Sequence, residues 1–190
     1  MYPYENTLKK RMRESLEGKQ VLTFGVTMTI GEYTIVPSLA KFIKAHPNID
    51  LHIRYGNTQM LLSYLRDGII DFAIIEGYFQ GDYYKTKIFK SEEYIAVASA
   101  NHVFEKPIHC LNDLKDERLI IREHGSGTRA ILTKTLALKN MSMKDFRNLI
   151  EIENIHTIVQ LLKDDCGISF LYKAAVESLL CSSWKMVSYS

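Results

Sequence analysis

From Val21 onward, the 190-residue chain alternates between short apolar strand patterns and apolar patterns with helical spacing. In Ile49–Tyr55, for example, an apolar residue stands at every second position, which is typical of a strand with one wet face. Strand patterns that alternate with helix patterns at this pitch favour βαβ units and a largely parallel sheet. The sequence therefore predicts an α/β fold.

The alternation occurs in two sets, one before and one after Ser99, which can pack as two lobes. The predicted strands are Val21–Val26, Ile49–Tyr55, Phe72–Ile75, Thr86–Phe89, Tyr94–Ala98, Leu119–Ile121, Leu149–Ile152 and Ile168–Leu171. The predicted helices are Ile35–Ile43, Met60–Leu65, Ala130–Leu138 and Ile155–Leu162. Thr58 is predicted to be the N-cap of the second helix.

Charge is distributed unevenly along the chain, whose formal net charge is +2. The first 20 residues hold five basic and three acidic side chains, and the remaining 170 residues hold 19 of each. Binding to nucleic-acid phosphates requires a clustered basic surface. The neutral body therefore argues against a broad nucleic-acid-binding face.

Several features of the sequence bear on where the protein acts. No apolar run approaches the roughly 18 residues of a membrane helix, and the first residues lack the basic-then-apolar pattern of a signal peptide. Cys110, Cys166 and Cys181 are odd in number and form no C-x-x-C motif, which fits reduced thiols. We therefore expect a cytoplasmic protein with no membrane partner.

Polar residues follow the first predicted strand, at the end of the sheet where open α/β folds bind ligands. Thr27 and Thr29 flank Met28 there. One interpretation is that Thr29 caps the next helix. A second hydroxyl at Thr27 exceeds what a cap needs, so ligand binding by this turn is the other interpretation.

The strongest local motif is R-E-H-G-S-G-T-R, at 122–129, between a predicted strand and a predicted helix. Its two glycines allow the backbone to approach a ligand closely, and the free amides and dipole of a helix start favour an anion. Ser126 and Thr128 add hydroxyl groups, and Arg129 could add charge. This turn is a candidate anion site, with a flexible turn capped by Ser or Thr as the alternative.

Motifs for cofactor or catalytic chemistry are weak or absent. Gly125, Gly127 and Ala130 match a dinucleotide fingerprint loosely, but the match lies late in the chain and Arg129 would crowd the pyrophosphate turn. There is no P-loop, no G-x-S-x-G elbow and no histidine spacing typical of a metal site. We therefore predict no cofactor, no metal and no catalytic residue.

Several motifs occur in an order that resembles the effector-binding domain of LysR-type transcriptional regulators, over about residues 4–181. They are F-G-V-T-M-T-I-G-E-Y at 24–33, H-P at 46–47, G-N-T at 56–58, L-x-x-G-x-x-D-F-A at 65–73, R-E-x-G-S-G-T-R at 122–129 and G-I-S-F-L at 167–171. Within that family the chain looks most like members related to regulators of sulfur assimilation and carbon fixation.

The resemblance implies a type 2 periplasmic-binding-protein fold, in which two Rossmann-like lobes enclose a ligand cleft. Lobe one would comprise 20–98 together with 170–190, and lobe two would comprise 99–169. Residues 1–19 would be the C-terminal part of a connecting helix. The winged helix-turn-helix DNA-binding domain of the family is absent from this sequence, so DNA would be a partner only through that missing domain.

The resemblance also implies a function, namely sensing a small, usually anionic metabolite and relaying its binding to DNA through a homodimer, or a tetramer at full length. The residues expected to bind the effector are Thr27, Met28, Thr29, Glu76, Ser126, Gly127, Thr128 and Asn154. Glu76 would repel an anion unless it accepts from an ammonium or hydroxyl group. An amino-acid-like effector is therefore as plausible as a simple oxyanion or carboxylate.

Two other functions are compatible with the same two-lobed fold. An enzyme would need a perturbed acid or base in the cleft, and none is evident in the sequence. A free-standing solute-binding protein would need a signal peptide or a lipid-attachment cysteine. We therefore expect a regulatory domain and not an enzyme.

Overall fold

The computed structural model describes residues 20–77, 79, 84–177 and 184–187, and the chain divides into two compact units. Unit 1 ends at Glu76, and unit 2 begins at Gly77. The predicted connecting helix, 1–19, lies outside the described residues. The predicted boundaries of the two lobes stay a prediction.

Unit 1 contains a three-stranded parallel sheet in the order β2-β1-β3, with helices in the connections. Its elements are β1 (Gln20–Val26), a π-helical turn (Ile30–Thr34), α1 (Val36–Ala45), β2 (Ile49–Tyr55), α2 (Thr58–Arg66) and β3 (Phe72–Ile74). Because β1 is the central strand, its last residues are buried and the turn after it lies at the carboxyl end of the sheet.

The core of unit 1 forms around β1, against which helices and neighbouring strands pack. Phe24, Val26 and Ile35 are buried together. Gly25 allows a close approach on the same strand, because a Cβ there would lie 2.7 Å from Cδ2 of Leu61 and 2.8 Å from Cδ1 of Ile70. The end of β1 is therefore fixed by packing, and this packing positions the candidate turn that follows.

Unit 2 contains an antiparallel sheet in the order β7-β4-β8 and a parallel pair, β5 and β6. Its strands are β4 (Tyr94–Ser99), β5 (Arg118–Ile121), β6 (Asn148–Glu151), β7 (Ser169–Tyr172) and β8 (Trp184–Val187). Its helices are α3 (Gly127–Leu138), α4 (Ile155–Lys163) and α5 (Lys173–Glu177), with 3-10 turns at Leu111–Leu114 and Met143–Asp145.

The core of unit 2 is formed by apolar side chains from the sheets, from α3 and from the 3-10 turn before β5. These buried residues are Ala96, Ala98, Leu111, Leu114, Leu119, Ile121, Leu132, Leu136, Met141, Phe146, Ile168 and Phe170. Leu132 and Leu136 anchor α3 to this core at helical spacing. The amino end of α3 is thereby held at the end of β5.

Several details of the predicted secondary structure differ from the structure, and β8 and α5 were not among the predicted elements. The predicted largely parallel sheet holds for unit 1 and for β5 with β6, whereas β4 pairs antiparallel with both of its neighbours. Thr86–Phe89 forms no strand. The N-cap of α2 is Asn57, whose Oδ1 accepts from the amide of Met60 at 2.9 Å, and not Thr58.

Among the described residues, no helix is long and apolar enough to span a membrane.

Candidate functional site

The first candidate turn follows β1 in unit 1. Thr29 is 3% exposed, and its Oγ1 is buried without a hydrogen-bond partner among the described residues. Its backbone is helical, with φ −60° and ψ −45°, and its side chain caps nothing. An N-cap residue normally has an extended backbone, from which its side chain reaches the first helix amides. Capping therefore does not account for this hydroxyl.

Thr27 and Glu76 of the predicted site are brought together in unit 1. Thr27 is buried, and its hydroxyl donates to Oε2 of Glu76. The main-chain oxygen of Glu76 accepts from Oγ1 of Thr58 at 3.0 Å, which explains why Thr58 is not a cap. Two threonines from different turns thus hold the backbone and the carboxylate of Glu76. The acidic group accepts from a hydroxyl, so it can do the same for a ligand hydroxyl or ammonium group.

Met28 and Tyr33 add further side chains to the region after β1. Met28 is half-buried and adds a thioether at the position between Thr27 and Thr29. Burial first, and then the charge and hydrogen bond of Glu32, raises the pKa of Tyr33 to about 12. The Tyr33 phenol is therefore protonated at neutral pH and remains a donor. Tyr33 was not among the predicted site residues, although it belongs to the motif at 24–33.

The second candidate turn lies between β5 and α3 in unit 2. Ser126 is the N-cap of α3 and has the extended backbone of a cap, with φ −70° and ψ 134°, yet its side chain forms no capping bond. The residue is 4% exposed, and its Oγ is buried with no partner in the described part of the chain. The capping alternative is therefore wrong for Ser126 as it was for Thr29.

Close backbone packing holds the start of α3. Gly77 has a φ of 91°, and a Cβ on it would lie 2.6 Å from Cα and from the carbonyl oxygen of Gly127. Gly125 also has a positive φ, of 90°. Thr128 is buried, and its carbonyl oxygen accepts from the Tyr94 hydroxyl at 3.0 Å. Gly127 and Thr128 thus lie in a closely packed helix start, which suits a site built on backbone amides.

The two arginines of the turn have different surroundings. Nη1 of Arg129 donates to Oε2 of Glu151 and, at 3.2 Å, to the carbonyl oxygen of Arg122, so the predicted charge of Arg129 is already engaged. The Arg122 side chain is 3% exposed and binds Glu123 through Nε and Nη2. Its Nη1 is buried with no partner among the described residues. Sequence reasoning assigned no role to Arg122, although an arginine directly after a buried strand was the available signal.

Asn154 has a structural role in unit 2. It is exposed and is the N-cap of α4, with its Oδ1 accepting from the amide of Thr157 at 3.0 Å. A capped helix start satisfies the carbonyl end of the side chain and leaves the amide NH₂ as its donor. Its participation in the site stays a prediction.

The chemistry available in these turns is that of binding. Each turn carries a buried hydroxyl that has no partner among the described residues. The first turn also contains Thr27, which binds the Glu76 carboxylate, and the second contains the Arg122 guanidinium, which binds Glu123. Within the described ranges, no group of three or more His, Cys, Asp or Glu side chains is placed to hold a metal ion. Hydroxyls, helix amides and paired charges suit recognition of a small polar molecule.

Comparisons of the sequence connect this geometry with known proteins. The family model described as LysR substrate binding domain matches residues 16–186. The transcriptional regulator CysL of Bacillus subtilis is 28% identical over 160 residues, which cover 83% of this chain and 52% of CysL. A probable RuBisCO transcriptional regulator of Phaeodactylum tricornutum is 26% identical over 160 residues, covering 82% of this chain and 52% of that protein. The chain spans about half the length of these curated relatives.

A solved structure shares the fold. The regulatory domain of CcmR from Synechocystis PCC6803, solved in complex with 2-PG, matches with a TM-score of 0.78 and 21% identity, covering 90% of this chain and 81% of that chain. At this identity the similarity concerns the fold alone. The predicted periplasmic-binding-protein type 2 fold class is thereby confirmed.

Proposed function

This chain belongs to the LysR substrate-binding domain family, and from that premise we propose that it is the effector-sensing part of a LysR-type transcriptional regulator. The matched relatives are named transcriptional regulators, which supports the role of a regulator and not of an enzyme. DNA binding, through a separate domain of the whole protein, and a cytoplasmic location are parts of the proposal.

The observation that carries the proposal is that two of the buried hydroxyls without a partner in the described part of the chain, those of Thr29 in unit 1 and Ser126 in unit 2, lie in the two candidate turns. A buried polar group that lacks a hydrogen bond costs about 1–3 kcal/mol. Such groups are uncommon in folded proteins and indicate a strained or ligand-binding position. Here both occur at the carboxyl ends of strands, where α/β folds bind ligands.

Each unit contributes its own set of groups to effector binding. In unit 1 these are two hydroxyls, a thioether and a carboxylate, and in unit 2 they are a hydroxyl, the first residues of α3 and an amide. The residues are Thr27, Met28, Thr29, Glu76, Ser126, Gly127, Thr128 and Asn154. The set combines donors for an anionic group with an acceptor, Glu76, for a hydroxyl or ammonium group.

The proposed effector is therefore a small metabolite with an oxyanion or carboxylate, including amino-acid-like molecules. The similarity to a regulatory domain solved with 2-PG supports a small effector. Binding would favour one arrangement of the regulator over another by the difference in affinity for the two. The resulting change of arrangement would be transmitted to the DNA-binding part of the whole protein.

A thermal-shift screen tests effector binding. The 190-residue chain is mixed with sulfur, phosphate and carboxylate metabolites, and its melting temperature is measured. A ligand at 100 times its Kd stabilises the folded state by about 2.7 kcal/mol, which is a readily measured shift. Thr29→Val and Ser126→Ala should each reduce the shift, because each removes a hydroxyl that the effector satisfies.

Matched variants control for general effects of these substitutions. Thr133 donates its hydroxyl to the Arg129 carbonyl oxygen on the exposed side of α3, so Thr133→Val should leave the shift unchanged. Ser142→Ala, at an exposed 3-10 start, is the control for Ser126→Ala. An effector whose affinity is the same in Thr29→Val, Ser126→Ala and the unaltered chain would contradict the proposed site.

The partner in this proposal is a second copy of the chain. α1 has no buried residue, and it exposes Val36 (53%) and Ile43 (51%). In unit 2, Leu138 (77%) and Leu149 are also exposed. The resemblance to LysR-type regulators implies dimers in which lobe one of each copy contacts lobe two of the other. In the proposed dimer, each copy covers the apolar side chains of α1 with exposed apolar side chains of unit 2 such as Leu138 and Leu149.

Light scattering tests the dimer. The unaltered chain should have twice its mass of 21.9 kDa at micromolar concentration. Ile43→Glu should shift it toward the monomer, because it places a charge in the contact. Ile88→Glu, at an exposed apolar residue outside the proposed contact, should leave the mass unchanged. A monomeric unaltered chain at this concentration would contradict the dimer.

A further inference from the structure

The Arg122 guanidinium in unit 2 is a buried charge to which the effector proposal assigns no role. Its Nε and Nη2 donate to the two carboxylate oxygens of Glu123, at 2.8 and 3.2 Å. Nη1 has no hydrogen-bond partner within the part of the chain that the structure describes, and it is inaccessible to solvent. A buried donor on a charged group is expensive to leave without an acceptor. The free edge of this guanidinium therefore indicates a place where an acceptor binds.

Ser126 belongs to the same turn and supplies a second buried donor. Its amide donates to the main-chain oxygen of Glu123 at 3.3 Å, so Glu123 contacts Ser126 through its backbone and Arg122 through its carboxylate. Ser126 is also the N-cap of α3, a helix of 12 residues. The first amides of such a helix have no acceptor within the helix and carry the positive end of its dipole.

We propose that Arg122, Ser126 and the amino end of α3 form an oxyanion subsite, in which Arg122 and not Arg129 supplies the positive charge. The inference rests on the proposed function, because the subsite is the unit 2 part of the effector site. It assigns the phosphate, sulfate or carboxylate group of the proposed effector to this turn. Arg129 does not fill this role, because its Nη1 already donates to Glu151 and to the carbonyl oxygen of Arg122.

Glu123 sets the strength of the subsite. Its carboxylate binds one edge of the guanidinium and offsets part of the charge, and it leaves Nη1 for the ligand. Glu123 therefore positions Arg122 and at the same time opposes anion binding electrostatically. Because the Glu123 carboxylate occupies Nε and Nη2 of Arg122, a fully ionised oxyanion would bind through Nη1, the Ser126 hydroxyl and the first amides of α3.

Titration with inorganic anions tests the subsite. The 190-residue chain is titrated with sodium sulfate and with sodium phosphate, against sodium chloride at equal ionic strength, and the melting temperature is followed. The unaltered chain should show a saturable rise with sulfate or phosphate and none with chloride. Arg122→Gln should weaken the apparent affinity about tenfold or more, because it removes a charged hydrogen bond to the anion.

Arg129→Gln is the matched control, since it removes the same charge from the same turn. Its affinity should stay within about twofold of the unaltered chain, because Arg129 is engaged by Glu151. Ser126→Ala should weaken binding several-fold without a change of charge. Equal losses in Arg122→Gln and Arg129→Gln would show a general electrostatic effect and would overturn the subsite.

Glu123→Gln gives a test of opposite sign, which does not depend on the folding of Arg122→Gln. It should strengthen sulfate or phosphate binding, because the guanidinium keeps a hydrogen-bond acceptor and loses the opposing charge. Glu151→Gln, which releases Arg129 instead, should change the affinity less. Weaker or unchanged binding in Glu123→Gln would overturn the assignment of Arg122.

The two proposals fail in distinguishable ways. A metabolite that binds Arg122→Gln as tightly as the unaltered chain, and loses affinity in Thr29→Val, would overturn the oxyanion subsite and leave effector sensing standing. Sulfate or phosphate binding that depends on Arg122, with no metabolite bound, would support the subsite and contradict effector sensing. Binding of neither anions nor metabolites would overturn both.

Discussion

The turns after β1 and after β5 are both candidates for ligand binding, yet they are held in place by different means. In unit 1, side-chain hydrogen bonds from Thr27 and Thr58 fix Glu76. In unit 2, close backbone contact between Gly77 and Gly127 fixes the start of α3. A turn held by hydrogen bonds tolerates any change that preserves donor and acceptor. A turn held by backbone contact tolerates no added atom.

The two turns also differ in charge. The turn of unit 1 binds a carboxylate, that of Glu76 after β3, through the Thr27 hydroxyl. The turn of unit 2 carries the Arg122 guanidinium, whose Nη1 has no partner among the described residues. Both contain a buried hydroxyl that has no hydrogen-bond partner within the described ranges, so the turns share this feature and differ in the sign of the charge that each one contacts or carries. Three predictions test this comparison, and a fourth sets against it a capped 3-10 turn elsewhere in unit 2.

Gly77→Ala should have the largest effect on stability. The new Cβ would lie 2.6 Å from the backbone of Gly127, at a φ of 91° that alanine rarely adopts. Steric overlap and backbone strain together should lower the free energy of unfolding by about 3 kcal/mol. Urea unfolding followed by circular dichroism measures the change. Stability equal to that of the unaltered chain would show that the start of α3 can shift, and the contrast between the turns would fail.

Thr27→Val should have the next largest effect, because it removes the donor to the Glu76 carboxylate without a change of shape. The expected loss is about 1–3 kcal/mol in the free energy of unfolding. Thr133→Val, which removes an exposed hydroxyl from the surface of α3, should change it by no more than about 0.5 kcal/mol. Equal losses in both variants would contradict a special role for the Thr27–Glu76 contact.

Thr29→Val and Ser126→Ala should raise stability in the absence of ligand. Each removes a buried hydroxyl that lacks a partner, so the unfavourable desolvation disappears and the free energy of unfolding rises by up to about 1 kcal/mol. An N-cap serine that formed its capping bond would lose about 1 kcal/mol on substitution by alanine. A loss of that size in Ser126→Ala would therefore mean that the hydroxyl caps α3 after all.

Substitution of Asp113, which caps the 3-10 turn at Leu111–Leu114 in unit 2, should have the smallest effect on stability. Hydrogen bonds from the amides of His109 and Cys110 lower the pKa of Asp113 below its usual value of 3.8. The stabilising effect of a carboxylate with a lowered pKa is present above the unfolded pKa and is lost as the pH falls through the folded one. Asp113→Asn should therefore flatten the acid side of the stability profile below about pH 4. An unchanged slope would contradict this capping role.

The strand of the chain with the most regular pattern was predicted without error. Ile49–Tyr55 is β2 with the same bounds, because alternation of apolar and polar residues depends only on which side of one strand is buried. Thr86–Phe89 has a similar composition but forms no strand, and Ile88 is 84% exposed. A strand needs a partner for its backbone, and a short pattern does not reveal whether a partner is present.

The cap of α2 shows why local signals can mislead. Asn57 and Thr58 are both good N-cap residues, and the sequence gives no reason to prefer one. The choice is made by Glu76, whose carbonyl oxygen accepts from Thr58 and draws that hydroxyl away from the helix amides. In the candidate site, the motif at 122–129 indicates a charge from Arg129, but in the structure Arg129 pairs with Glu151. It is Nη1 of Arg122 that has no partner in the described part of the chain.

The sequence by itself determined the alternation of strands and helices, the family, and the two turns in which the hydroxyl groups lie. These follow from periodicity and from residue types at short spacing, which a linear pattern records directly. Tertiary structure alone decided that β4 pairs antiparallel and that Glu76 meets Thr27. It also decided that the hydroxyls of Thr29 and Ser126 and Nη1 of Arg122 are buried with no partner among the residues that the structure describes. Whether a polar atom finds a partner depends on segments distant in sequence, and no local pattern contains that information.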